Sequence, residues 1–149
     1  MSAQILVLSG PNLNLLGSRD PAVYGTMTLE EYLAAFAVVA EGFGARVDHV
    51  QSNFEGDLVD QIHGARGKYA AIVINAGALT HYSWSLRDAL DVFDGISIEV
   101  HLSNPAGREP FRHVSTLAAV VDGTIAGFGQ LSYELAAYAI RDILNARSE

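Results

Sequence analysis

The sequence has no cysteine and a single lysine, and both scarcities restrict its chemistry. Without cysteine it can form no disulfide, no thiolate metal site and no cysteine nucleophile. It also lacks an apolar run of about 18 residues, which argues against a transmembrane helix. The opening residues, MSAQILVLSG, lack the positive charge that begins a secretory signal, so a cytoplasmic location is expected.

Charge is scarce as well, and most of it is negative. Charged residues make up 17% of the 149 positions, below the ~25% of typical proteins, and the net charge is −8. No cluster of Lys and Arg offsets the negative charge, so no nucleic-acid partner is expected. Half of the chain is hydrophobic. This combination predicts burial of surface in a homo-oligomer, and a large core is the alternative.

Apolar strand-like segments alternate with helix-like patterns along the chain. Strands are predicted at residues 4–9, 45–50, 69–75, 96–101 and 123–128. Helices are predicted after the Thr28–Glu31 capping box, over 56–66, around 86–93, over 115–119 and around 136–144. The repeat predicts a single α/β domain, residues 1–149, with a doubly wound five-stranded parallel sheet. The expected strand order is 2-1-3-4-5, as in flavodoxin-like folds.

Polar residues collect where the predicted strands end. The candidates are Asn12, Arg19 and Tyr24; Ser52, Asn53 and Glu55; Asn75, Thr80 and His81; and His101, Ser103, Asn104, Arg108 and Arg112. Ligands of parallel sheets bind beyond the carboxyl ends of the strands. The sequence therefore predicts a polar site at that edge.

The segment SIEVH is the most specific local signal. Alternate residues of a strand point the same way, so Ser97, Glu99 and His101 share one face. A carboxylate beside an imidazole orients the ring and favours its protonated form, which is a general acid. The alternative is a solvent-exposed face on an edge strand.

The other candidates each have a functional and a structural interpretation. Tyr24 could act as a base if the Arg19 guanidinium favours its phenolate, or it could simply pin a loop to the surface. Asn75, at the end of a buried strand, needs hydrogen-bond partners that are either ligand hydroxyls or backbone. Arg108 and Arg112 could bind an anionic or hydroxyl-rich substrate or form surface ion pairs. His81 could belong to the site or lie on the surface beside a helix cap.

Several kinds of chemistry lack support in the sequence. No phosphate-binding or dinucleotide-binding glycine motif follows the first strand. The five histidines lack zinc-type spacing, and no GxSxG nucleophile motif is present. Lys68 precedes a strand, away from the predicted ligand edge, so a Schiff base is not expected. Acid–base chemistry on a small polar molecule, without a metal or cofactor, is the remaining prediction.

Five motifs together resemble the type II 3-dehydroquinate dehydratases. They are GPNLNLLGSRDPAVYG, QSNFEGDL, INAGALTHYSWSLRDAL, EVHLSNPAGREPFRHVS and GTIAGFGQLSYELA, and they span nearly the whole chain in order. The resemblance implies a flavodoxin-like subunit that assembles as trimers and then as a dodecamer. It also implies reversible dehydration of 3-dehydroquinate to 3-dehydroshikimate in the shikimate pathway, with neither metal nor imine.

The resemblance also implies roles for single residues. The tyrosine matching Tyr24 removes a proton beside the ketone, and the arginine matching Arg19 promotes its ionisation. An enolate forms with the help of a water held at the position of Asn12. The histidine matching His101, oriented by Glu99, protonates the departing hydroxyl. The remaining implied positions bind substrate: Asn75, His81 and Arg112 at hydroxyls, Leu102 and Ser103 at the carboxylate, and Asp88 from a neighbouring subunit.

Three positions depart from the common family pattern. Many members have proline at position 76, tyrosine at 79 and glycine at 132, where this chain has Ala76, Leu79 and Ser132. The first two could change the pocket's shape, but none of the three removes an acid, a base or a substrate ligand. Two alternatives to the enzyme are a flavodoxin-like binding or signalling module without activity, and a structural oligomer that has kept the site.

The loop after the first strand, SGPNLNLLGSRDPAVYG, is predicted to be irregular and to have two parts. GPNLNLLG is expected to form a fixed platform, with its leucines packed inward and Asn12 facing the site. SRDPAVYG is expected to be a mobile lid that carries Arg19 and Tyr24. Gly17 and Gly25 are the plausible hinges.

Overall fold

A computed structural model of the chain describes residues 2–149. It contains one five-stranded sheet, all parallel, in the order β2-β1-β3-β4-β5. The strands are β1 Gln4–Ser9, β2 Arg46–Gln51, β3 Ala71–Asn75, β4 Ile96–His101 and β5 Gly123–Ala126. The predicted fold class and strand order are therefore confirmed.

Helices cover both faces of the sheet. They are α1 Pro21–Tyr24, α2 Leu29–Gly42, α3 Glu55–Ala65, α4 Trp84–Asp91 and α5 Gln130–Ser148. One core lies between the sheet and the pair α2 and α5, and the other lies between the sheet and the pair α3 and α4. No helix within residues 2–149 has the length and hydropathy to cross a membrane.

The central strands are apolar because both of their faces are covered. Every residue of β3 and β4 is buried, and in β1 only Gln4 is not. The edge strand β2 has exposed positions that include Arg46 and Asp48, and β5 begins with exposed residues. The carboxyl ends of the buried central strands therefore lie inside the protein, where a site can be shielded from water.

Side-chain caps fix the helix starts that matter for the site. The Thr28 hydroxyl accepts the Glu31 N–H at 3.2 Å, as one half of the predicted capping box requires. The Ser83 hydroxyl accepts the Leu86 N–H at 3.1 Å and begins α4 directly after His81 and Tyr82. The Asp20 carboxylate caps α1 by accepting the Ala22 N–H at 3.0 Å.

The segment 115–119 is not a helix, so that prediction is wrong. The Ser115 hydroxyl accepts the N–H groups of Leu117 and Ala118, both at 3.1 Å, and turns the chain instead. A bond of this kind can also begin a helix, but only one turn follows, because the Asp122 N–H donates to the Ser97 carbonyl at 2.8 Å and leads the chain into β5. The strand predicted at 123–128 ends at Ala126, because Gly127 follows with a φ of 94°.

The loop after β1 is more regular than predicted. Leu13–Leu15 form a single 3₁₀ turn, and α1 occupies the lid. Leu13 and Leu16 are buried, as expected for the platform, but Leu15 is 49% exposed, so the expectation that all its leucines pack inward is wrong. One turn of 3₁₀ helix cannot direct three closely spaced leucines to one side.

Two glycines interlock the loops that follow β1 and β3. A Cβ on Gly10 would lie 2.3 Å from the Ala76 carbonyl oxygen, and one on Gly77 would lie 3.0 Å from the Pro11 carbonyl oxygen. The Gly10 N–H also donates to the Asn75 carbonyl at 2.8 Å. The backbones of the two loops are therefore in direct contact below the site.

Candidate active site

A cavity of about 120 Å³ opens at the carboxyl edge of the sheet, between the loops that follow β1, β3 and β4. Ten of the residues named from the sequence line it: Asn12, Arg19, Tyr24, Asn75, His81, His101, Leu102, Ser103, Arg108 and Arg112. Glu99 lies behind His101, and Asp88 is elsewhere. The structure thus brings most of the predicted site residues to one cavity.

The phenol of Tyr24 is held between two arginines. Its oxygen accepts hydrogen bonds from Arg19 Nη2 at 2.8 Å and from Arg108 Nη2 at 2.7 Å. The Arg19 guanidinium also lies over the aromatic ring, 3.8 Å from its centroid. Two guanidinium groups directed at one oxygen stabilise negative charge on that oxygen.

Arg108 reaches Tyr24 across a long stretch of sequence, and other contacts fix its position. Its Nη1 donates to the Ser103 hydroxyl at 3.2 Å, and its carbonyl accepts a hydrogen bond from His113 Nε2 at 2.9 Å. The sequence placed Arg108 at the rim but did not pair it with Tyr24. No local pattern signals a contact over 84 residues, so the pairing emerges only from the folded chain.

Tyr24 is also tied to the body of the protein. The Tyr32 hydroxyl, on α2, donates to the Tyr24 carbonyl at 2.9 Å. Burial raises the pKa of Tyr32, with a smaller contribution from the charge of Glu31. The Tyr32 hydroxyl therefore stays protonated as a donor that anchors the end of the lid helix.

His101 and Glu99 form a buried pair on β4. Glu99 is 1% exposed and His101 is 9% exposed, and His101 Nε2 donates to Glu99 Oε2. The alternative of a solvent-exposed edge strand is wrong, because β4 lies between β3 and β5. With Nε2 engaged by the carboxylate, Nδ1 is the ring nitrogen left for a ligand.

Ser115 is the partner of this pair that sequence reasoning missed. Its hydroxyl lies 2.8 Å from Glu99 Oε1 and 2.9 Å from Oε2. The incorrect helix prediction over 115–119 concealed it. The signal that could have found it is the position of a serine directly after the FRHV segment, within the motif that also contains His101.

Asn12 adopts an unusual backbone conformation. Its φ is 68°, the only positive value at a residue other than glycine within 2–149. Its N–H donates to Asn53 Oδ1 at 3.0 Å, and Gln51 Nε2 donates to the same oxygen at 3.2 Å. Asparagine tolerates this region better than most residues. The loop after β2 therefore fixes the conformation that brings Asn12 to the cavity wall.

The polar residues on the opposite wall are partly engaged by backbone. Asn75 Oδ1 accepts the Gly77 N–H at 3.2 Å, which orients its amide group. His81 Nδ1 donates to the Val114 carbonyl at 2.8 Å, which leaves Nε2 available. Arg112 Nε donates to Glu109, and that bond lowers the pKa of Glu109.

Asp88 does not reach the cavity of its own chain. It lies on α4 with its side chain 77% exposed, and it pairs with Arg87 at 3.2 Å. Across residues 2–149, no three His, Asp or Glu side chains are grouped in a way that could hold a metal ion.

The three positions that depart from the family pattern are accommodated without strain. Ala76 is fully buried and Leu79 is 5% exposed, both in the core beneath α3 and α4. The Ser132 hydroxyl accepts the Phe128 N–H at 3.1 Å and closes the turn that leads into α5. None of the three is among the residues that line the cavity.

Comparison with known proteins identifies the family of the chain. A family model described as dehydroquinase class II matches residues 3–141. The chain is 50% identical over 146 residues to the 3-dehydroquinate dehydratase of Synechocystis sp., covering 98% of this chain and 96% of that protein. It is 56% identical over 131 residues to the 3-dehydroquinate dehydratase of Nostoc sp., covering 88% and 89%.

Solved structures give the same result. The crystal structure of type II dehydroquinase from Propionibacterium acnes superposes with a TM-score of 0.89 and 44% sequence identity, covering 94% of this chain and 97% of that one. The matched region includes all five strands and every residue that lines the cavity. The chain therefore belongs to the class II dehydroquinase family.

Proposed function

We propose that this chain catalyses the reversible dehydration of 3-dehydroquinate to 3-dehydroshikimate, a step of the shikimate pathway. The observation that carries the proposal is one cavity with Tyr24 between two guanidinium groups and His101 backed by Glu99. The Synechocystis and Nostoc relatives bear the name of this activity. A phospho-acceptor module is less well supported, because β1 and β3 end in Ser9 and Asn75 rather than carboxylates.

Tyr24 is the proposed base. As a phenolate, its oxygen takes a proton from the carbon next to the ketone, and the electron pair moves to the ketone oxygen as an enolate. Arg19 and Arg108 both donate to the Tyr24 oxygen, so they stabilise the charge that is present before the transfer. Asn12, on the cavity wall, holds the water that hydrogen-bonds to the enolate.

His101 is the proposed acid. The enolate reforms the ketone and expels the hydroxyl from the neighbouring carbon, and His101 Nδ1 supplies the proton that makes it water. Glu99 holds the ring through Nε2 and stabilises the imidazolium. The base is carried by the lid and the acid by the sheet. They can therefore act on opposite faces of the ring, as an anti elimination requires.

The remaining predicted residues are proposed to bind substrate. Asn75, His81 and Arg112 bind hydroxyl groups, and the segment Leu102–Ser103 binds the carboxylate, largely through backbone N–H groups. Asp88 is proposed to act on the site of a neighbouring subunit, which suits its exposed position. Neither a metal nor a cofactor takes part in this mechanism.

The direct test is to add 3-dehydroquinate to the purified protein and follow the conjugated enone by ultraviolet absorbance. Tyr24→Phe and His101→Ala are expected to lower turnover by at least about a thousandfold while the protein stays folded, as is typical for acid–base groups. Arg147→Ala, near the end of α5, is the matched surface control. Absence of enone from well-folded wild-type protein would refute the proposal, and a fully active Tyr24→Phe would remove the assigned base.

The chain is also proposed to assemble as trimers and then as a dodecamer in the cytoplasm. The exposed large apolar side chains include two groups: Tyr82, Trp84, Phe111 and Val114 near the cavity, and Phe128, Leu131, Leu135 and Tyr138 on and beside α5. Exposed apolar groups on this scale support association. Light scattering tests this, because a mass near the 15.9 kDa of one chain would contradict it.

A further inference from the structure

The Ser115 hydroxyl contacts both oxygens of the Glu99 carboxylate. The distances are 2.8 Å to Oε1 and 2.9 Å to Oε2, and Glu99 is 1% exposed. A carboxylate this deeply buried depends on its hydrogen-bond partners for stability as an anion. His101 and Ser115 are the side chains that supply them.

The direction of the Ser115 hydrogen bond is fixed by its other contacts. The hydroxyl oxygen already accepts the N–H groups of Leu117 and Ala118, both at 3.1 Å. A serine hydroxyl has one proton to donate, and a carboxylate can only accept when it is ionised. The proton of Ser115 is therefore directed to Glu99.

From this geometry we infer that Ser115 is a positioning residue for the acid: it holds Glu99 ionised and correctly rotated, so that His101 keeps both of its ring protons. The inference rests on the proposed function, because it assigns a purpose to the His101 proton. One ring proton is donated to Glu99, and the other is available to the departing hydroxyl.

Two physical effects carry the inference. The terminal torsion of a glutamate is broad and weakly restrained, so a donor that spans both oxygens selects one rotation of the carboxylate. A hydrogen bond to the charged form also favours that form over the protonated carboxylic acid. Without Ser115 the Glu99 carboxylate loses one of its two side-chain donors and the restraint on its rotation, so it orients and stabilises the imidazolium less well.

The test compares side chains that keep the donor with side chains that weaken or remove it. Ser115→Thr keeps the hydroxyl, whereas Ser115→Ala removes it and Ser115→Cys replaces it with a weak donor of similar size. We expect Ser115→Ala and Ser115→Cys to lower kcat about tenfold or more, a loss typical when a residue that indirectly orients a functional histidine is removed. KM is expected to change less than about twofold. Ser115→Thr should retain most of the activity. If Ser115→Ala does not fold, Ser115→Cys is compared with Ser115→Thr instead.

A double-mutant cycle separates positioning from a general effect on the loop. In a Glu99→Gln background, Ser115→Ala is expected to change kcat less than about twofold, because the carboxylate through which it acts is gone. The same fold-loss in both backgrounds would overturn the inference. Wild-type kcat in Ser115→Ala would overturn it as well.

The outcomes also distinguish this inference from the proposed function. If wild-type protein turns over 3-dehydroquinate and Ser115→Ala does so equally well, only the Ser115 inference fails. If the wild type shows no turnover, the proposed function fails, and ¹⁵N NMR of the His101 ring still tests the contact. Ser115→Ala is expected to shift the ring nitrogen signals, and unchanged signals would contradict the inference.

Discussion

At the scale of single residues, the phenol oxygen of Tyr24 depends on Arg108 as much as on Arg19. The two arginines donate to it at nearly equal distances, and Arg108 is also held by Ser103. Charged hydrogen bonds contribute roughly 1.5–3 kcal/mol each. We expect Arg108→Ala to lower kcat/KM by roughly a factor of 10–100, as measured by the enone assay.

A matched variant shows whether charge alone is enough. Arg108→Lys keeps the positive charge but cannot reach Tyr24 and Ser103 with two parallel donors, so an intermediate activity is expected. Wild-type kcat/KM in Arg108→Ala would mean that Arg19 alone supports the phenol.

Thr80 allows a prediction about stability rather than activity. It is fully buried, and its hydroxyl oxygen has no hydrogen-bond partner among the described residues. Valine has the same shape without the unsatisfied polar group. We expect Thr80→Val to raise the free energy of unfolding by about 1 kcal/mol, measured by urea denaturation.

Serine at the same position is the control for Thr80→Val. Thr80→Ser keeps the hydroxyl and removes a buried methyl group, so it should destabilise the protein. A loss of stability in Thr80→Val would mean that its hydroxyl has a partner, such as a bound water.

Contacts between residues that are close in the sequence could be predicted, whereas contacts between distant segments could not. Glu99 and His101 are two positions apart on one strand, so their pairing follows from strand periodicity. The contact between Arg108 and Tyr24 depends on how the segment after β4 returns over the lid. The role of Ser115 depends on a turn that its own side chain creates.

At the scale of elements, the lid helix α1 has only four residues and depends on its cap. Asp20 accepts the Ala22 N–H, Pro21 begins the helix, and Tyr24 is its last residue. Removing such a cap costs typically ~1 kcal/mol. We expect Asp20→Ala to lower kcat/KM by about two- to fivefold, because the arrangement that presents Tyr24 is populated less often.

The lid prediction has a control and an independent measurement. Asparagine caps helices about as well as aspartate, so Asp20→Asn should keep wild-type kinetics. Limited proteolysis should cut the segment 18–25 faster in Asp20→Ala than in Asp20→Asn. Equal kcat/KM and equal cleavage in the two variants would contradict a contribution of the cap.

Elements with strong periodicity were predicted well, and short irregular ones were not. The bounds of β1 and β4 agree with the sequence, because buried strands are uninterrupted apolar runs between polar ends. The one-turn elements in the loop after β1 leave no periodic signal. The segment 115–119 has helix-compatible residues and a capping serine, but only one turn forms before the Asp122 N–H pairs with the Ser97 carbonyl and the chain enters β5.

At the scale of the whole molecule, His49 links stability to pH. Desolvation lowers the pKa of His49, although its side chain on the edge strand β2 remains open to solvent, and the charge of Glu30 opposes this effect. An unfolded histidine titrates near ~6.5, so as the pH falls the unfolded chain takes up this proton before the folded protein does. The stabilisation is therefore present above about pH 6.5 and is lost progressively below it.

The expected result is a difference in pH dependence between two proteins. Between about pH 7.5 and 5.5, the Tm of the wild type should fall more than the Tm of His49→Gln, in which this titration is absent. Thermal unfolding followed by circular dichroism measures both. The same fall in both proteins would show that His49 does not contribute to the pH dependence.

The composition of the whole chain indicates extensive burial but does not show which surfaces stay exposed. A low charge fraction and a hydrophobic half are consistent with a fold in which both faces of the sheet are covered. The same composition cannot say where apolar side chains remain exposed, because that depends on which helix faces lack a neighbour. The two exposed apolar regions, near the cavity and along α5, are known only from the folded structure.

The interlocked glycines have a consequence for how this protein can change over generations. Any side chain at position 10 would collide with the backbone of Ala76, and position 77 has a positive φ as well as a close backbone neighbour. Gly56, in contrast, has open space around it. Substitutions are therefore excluded at Gly10 and Gly77, which form the floor of the site, and are tolerated at positions such as Gly56. New specificities in descendants of this chain must arise in the walls and the lid, while the floor is inherited unchanged.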